Sequence, residues 1–81
     1  MVLTPGQCRA ARALVDWSRE YLAEQSKISH RTIVDFEREA RDPRDLTKNA
    51  LRASLERAGV KFLAEGEAVE GGPGVRLAAQ K

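Results

Sequence analysis

SREYLAEQ at residues 18–25, SKIS at 26–29 and HRTIVDFERE at 30–39 form the stretch whose reading decides the fold. The outer two segments carry helical patterns, and four residues separate them. A helix pair joined by so short a turn cannot lie antiparallel, so it crosses steeply and pushes its second helix outward. Ser18 is placed as an N-cap, and Glu20 falls in the first turn, where the helix dipole favours negative charge. Leu22, Ala23 and Ser26 share a face, which puts a small side chain where two crossing backbones must approach. Ile28 plugs the turn and Ser29 caps the second helix.

At ~100° per residue, Ile33, Phe36 and Ala40 gather on one side of that second helix, and Arg31, Val34, Asp35 and Arg38 on the other. One side packs and the other is free to bind. His30 and Arg31 open the free side in the first turn, where a helix that enters the major groove presents its residues to base edges. Arg31 suits bidentate contact with guanine, and Val34 suits a thymine methyl.

In the order Ser18, Leu22-Ala23, Ile28-Ser29, Arg31-Thr32-Ile33, Phe36-Glu37-Arg38, then Arg41 and Pro43, the chain resembles the Cro/cI-type helix-turn-helix family, the lambda repressor-like or XRE regulators. The likeness spans roughly residues 4 to 59, and its specificity lies in the ordered set. It implies an all-helical bundle that binds operator double-stranded DNA as a transcriptional regulator, usually as a homodimer. Carried across by position, it gives His30, Arg31, Thr32 and Asp35 base-facing places. Arg19, Arg38, Arg41 and Arg44 fall in the phosphate-facing neighbourhood, with Ser29 a further phosphate candidate. The chain departs from the family at Lys27, where glycine is usual: a left-handed lysine costs roughly 1 kcal/mol, unless the turn itself differs.

Each of these residues also has a plainer reading. Asp35 lies four residues after Arg31 and suits an intrahelical ion pair worth ~0.3 kcal/mol as well as it suits a cytosine amino group. His30 and Val34 are also ordinary surface residues. The Arg38, Arg41 and Arg44 series suits a phosphate clamp, or solvated charges interleaved with Glu37, Glu39, Asp42 and Asp45. Trp17, Tyr21 and Phe36 read as packing residues, since no basic-aromatic ladder accompanies them.

Outside the central stretch, Thr4-Pro5-Gly6-Gln7 is a capping box with proline at the first helical position, starting a helix that runs to about Asp16. Its expected inner face is Cys8, Ala11, Leu14 and Val15. Asp42-Pro43 breaks the chain, and Asp45 begins a last helix with the stripe Leu51, Ser54, Leu55, Ala58, ending at Gly59. Val60 and Phe62, then Val75 and Leu77, alternate with polar or small residues and suggest two strands, with Glu65 to Gly74 a mobile loop. The expected fold is therefore all-α, about four helices over residues 1–59. A C-terminal extension over 60–81 carries a short β-hairpin that packs on the helices or pairs across a dimer.

The 81 residues allow one core and carry 14 basic against 12 acidic side chains. The excess is uneven: residues 1–62 hold 12 against 9, and residues 63–81 hold 2 against 3. Cys8 is the sole cysteine, which excludes an intrachain disulfide, leaves a zinc site short of ligands, and reads as a small buried apolar residue. No nucleophile–base pair, metal set or cofactor motif is present, so neither catalysis nor a cofactor is expected. No run suits a membrane span, and Met1 to Gly6 lacks the pattern of a signal peptide, so a cytoplasmic protein is expected. Beside the DNA-binding regulator stand two alternatives. One is an antitoxin-like protein that also blocks a partner protein through residues 60–81; the other is a protein-interaction helix pair that never touches DNA.

Overall fold

The computed structural model describes residues 2–63 and 74–77. Four helices, α1 (Pro5–Val15), α2 (Arg19–Ser26), α3 (His30–Glu37) and α4 (Asp45–Arg57), precede two short strands, β1 (Val60–Leu63) and β2 (Gly74–Leu77). The result is a small, mostly helical bundle with an antiparallel strand pair beside it.

Side-chain caps start the first three helices. Thr4 accepts a hydrogen bond from the Gln7 amide at 3.1 Å while Gln7 accepts one from the Thr4 amide at 3.0 Å, with Pro5 supplying a fixed φ at the first helical position. The Ser18 hydroxyl accepts from the Tyr21 amide, and the Ser29 hydroxyl from the Thr32 amide. α4 begins at Arg44 without a side-chain cap.

Helix ends are less regular. Asp16, Lys27 and Glu39, which terminate α1, α2 and α3, all lie at positive φ near 60°, and only α4 ends on a glycine, Gly59, at φ 104°. The turn before α3 thus accepts a left-handed lysine. Glu39 also corrects the expected extent of the second helix of the pair from 30–39 to His30–Glu37. There the Ala40 amide donates to the Asp35 carbonyl and the Glu39 amide to the Phe36 carbonyl, a Schellman closure that turns the chain away. Ala40 is consequently exposed, not packed with Ile33 and Phe36.

The core joins Leu3, Cys8 and Ala11 to Leu22, Ile33, Phe36, Leu51 and Leu55, with Val60 and Phe62 of β1 completing it. Val15, Trp17, Ala23 and Ile28 pack partly against it, and Trp17 meets Tyr21 edge to face at 4.8 Å. Leu14 is exposed, contrary to expectation, because on the wheel it lies ~120° from Cys8, at the edge of the face that Cys8 and Ala11 bury.

β1 pairs with β2 in the register Val60–Leu77, Lys61–Arg76, Phe62–Val75 and Leu63–Gly74. α1 packs on both strands and α4 on β1, as a marginal strand pair requires. The Gln7 side chain donates to the Leu63 carbonyl at 3.0 Å, tying the start of α1 to the end of β1. The expected loop lies outside the described residues, apart from Gly74, which belongs to β2.

Candidate nucleic-acid interface

The end of α3 is fixed from the far side of the molecule. Ile33, Phe36 and Glu37 share the buried face of α3, and Glu37 is only 2% exposed. Its Oε1 accepts from Arg12 Nη2 at 2.7 Å and its Oε2 from Arg12 Nε at 2.8 Å, a bidentate fork. The Cys8 thiol donates to the same Oε2 at 3.0 Å, Arg19 Nη1 lies 4.0 Å from Oε1, and Arg9 donates to the Glu37 carbonyl. Arg12 turns its remaining nitrogen, Nη1, to the Trp17 carbonyl at 3.0 Å.

Burial alone would raise the Glu37 carboxyl. The hydrogen bonds from Arg12 and Cys8, with the charges of Arg12 and Arg19, outweigh it and hold the group below the ordinary carboxylate value. The same contact raises Arg12. Burial, reinforced by the hydrogen bond to Glu37, pushes the Cys8 thiol far up, so it stays protonated. Cys8 is thus buried as expected, but as a donor in this joint. Glu37, expected among the solvated charges, is an internal anchor.

Anchoring this end leaves the opposite side of α3 open. Arg31 and Arg38 are both exposed, Arg31 with 85% of its side chain in solvent. His30 is exposed at the mouth of the helix, its Nε2 3.4 Å from Glu20 Oε2 on α2. Val34 is half-buried. Thr32 is half-buried as well, and the Ser29 hydroxyl that caps the helix also donates to the Thr32 hydroxyl at 2.8 Å. Asp35, expected on the free side, is nearly buried. It takes the ion-pair arrangement, with Arg31 Nε donating to its Oδ2 at 3.3 Å and Arg41 Nε 3.8 Å from the same oxygen.

A groove of about 650 Å³ runs between this side of α3 and the loop into α4. Arg31, Thr32 and Asp35 form one wall, residues 41–44 of the loop the other, and Thr47 closes the end. The acids of the loop are exposed but paired: nearly buried Lys48 meets Asp42 at 2.5 Å and lies 4.0 Å from Asp45. Arg38 and Arg44 are exposed and make no ion pair among the described residues. Arg19 leans toward Glu37, with 42% of its side chain exposed.

The sequence candidates therefore divide by position. Arg31, Thr32, Asp35, Arg41 and Arg44 converge on one groove, with His30 at the helix mouth and Arg38 beyond its other end. Ser29 acts as a cap, and Arg19 belongs to the Glu37 side. No helix among the described residues is long and apolar enough to cross a membrane. Compared with known proteins, the chain matches no protein-family model and no curated protein.

Proposed function

We propose that this chain is a sequence-specific DNA-binding transcriptional regulator of the Cro/cI helix-turn-helix type, acting in the cytoplasm and reading the major groove with α3. The observation that carries the reading is the charge arrangement at the groove. Glu37 is buried with Arg12, the exposed loop acids Asp42 and Asp45 lie 2.5 and 4.0 Å from Lys48, and Arg31, Arg38, Arg41 and Arg44 are exposed. Exposed guanidiniums gathered around one groove suit phosphate neutralisation, and the loop acid that lines it, Asp42, has its charge offset by Lys48.

In this reading Arg31 takes guanine and His30 and Thr32 sit beside it, while Arg38, Arg41 and Arg44 follow the sugar-phosphate backbone. A homodimer would set two α3 helices about 34 Å apart on a palindromic site. Selection from a random duplex pool at fixed salt tests this directly. The expected product is a pair of inverted half-sites one helical turn apart; a pool that stays random through successive rounds rejects the reading.

A further inference from the structure

We infer that Asp35 is a positioning residue of the DNA-reading surface, holding Arg31 and Arg41 as one unit so that base readout and backbone contact are set by a single carboxylate. The inference rests on the DNA reading above and adds to it a residue that touches no DNA.

Three observations converge on Asp35. Its side chain is only 12% exposed, while the arginines that reach it are 85% and 82% exposed, so a nearly fixed carboxylate holds two otherwise mobile guanidiniums. Both approach through Nε toward the same Oδ2, at 3.3 and 3.8 Å. A guanidinium engaged side-on through Nε keeps its terminal Nη groups for a second partner, the end that grips guanine or a phosphate in two places. Finally, the Asp35 carbonyl accepts from the Ala40 amide at 2.8 Å and the Arg41 amide at 3.3 Å, so the same residue fixes the backbone that carries Arg41. Asp35 thus stands at the junction of the α3 wall and the loop wall of the groove.

A positioning carboxylate and a merely tolerated one differ in the sign of their effect. Asp35→Asn raises the charge of the groove by one, so charge alone would tighten binding to any duplex. Positioning demands the opposite for the selected site. Expected for Asp35→Asn is a roughly 5- to 100-fold loss of affinity for the selected duplex, with affinity for a scrambled duplex unchanged or increased. Base preference should relax at the position that Arg31→Ala also relaxes. Asp35→Glu, which keeps the charge, should restore part of that preference. In the Arg31→Ala background, Asp35→Asn should cost less than it does alone.

Each variant is first checked for wild-type helical content, and Arg31→Ala with Arg41→Ala supplies a pair that leaves Asp35 in place should Asp35→Asn fail to fold. That pair should lose preference and affinity together, and unchanged preference overturns the inference. So does an Asp35→Asn protein that binds the selected duplex as well as, or better than, the wild type. A wild-type chain that enriches no sequence overturns the DNA reading and this inference together. A wild-type chain that enriches a site which Asp35→Asn enriches equally overturns the inference alone.

Discussion

Glu37 is a carboxylate taken out of water and surrounded by donors, and its chemistry predicts an acid limb. Its value lies below the ordinary 4.5 in the folded protein, so the stability it contributes is fully present above that pH. That contribution fades as pH falls through the unfolded value toward the lower folded one. Urea midpoints measured between pH 7 and pH 3 should drop over this range, and Glu37→Gln should flatten the drop. At neutral pH the same substitution should cost about 2–4 kcal/mol, because Arg12 keeps its charge and loses its fork. An unchanged midpoint at pH 7 would show that the fork contributes nothing net.

Arg44 and Arg38 belong to the residue scale too, but their effect is electrostatic. Neither makes an ion pair among the described residues, so Arg44→Ala should leave thermal stability within about 0.5 kcal/mol. It should weaken duplex binding evenly across sequences and reduce the slope of log affinity against log salt by about 1. Fluorescence anisotropy at several salt concentrations reads both quantities.

At the scale of elements, the starts of the helices were legible in the sequence and the ends were not. Thr4, Ser18 and Ser29 are short polar side chains just ahead of helical patterns, and each forms the expected cap. Ends are usually marked by glycine, and here only α4 obeys. Lys27 and Glu39 hold a conformation that costs a side chain roughly 1 kcal/mol, so Lys27→Gly and Glu39→Gly should each raise the unfolding free energy by about 0.5–1 kcal/mol. Differential scanning calorimetry should register each as a rise of a few degrees in Tm; a fall would mean that the lysine or glutamate side chain makes a compensating contact. Ser29→Ala should act in the other direction by about 1 kcal/mol, through the cap of α3.

Much of the candidate surface was likewise legible, because a ~100° wheel places Arg31 away from Ile33 and Phe36 without any structure. The internal joint was harder to read. Glu37 stands four residues after Ile33 and Arg12 four after Cys8, so the same wheel puts a charge on the inner face of each helix. Charged residues are rarely buried, so spacing alone does not single these two out for the interior. Only the tertiary pairing of α1 with α3 makes burial affordable for both.

At the scale of the whole molecule, the orientation of α3 depends on residues far from it in sequence. Arg9 and Arg12 of α1 hold its last turn, and Lys48 of α4 holds the loop that follows. The groove is therefore assembled only when three helices and the connecting loop are in place together. Changes at Arg12 should accordingly reach DNA binding through the fold, lowering affinity in proportion to lost stability and leaving base preference unaltered. Changes at Arg31 should do the reverse. Affinity and sequence preference measured on both variants distinguish the two cases.

The solitary thiol inside this joint makes the protein its own stopwatch. Cys8 is wholly enclosed and kept protonated, so an alkylating reagent finds it only in molecules whose first helix has come away from the third. With no second sulfhydryl to confuse the signal, the rate of label uptake counts those openings. It should fall when a duplex is bound.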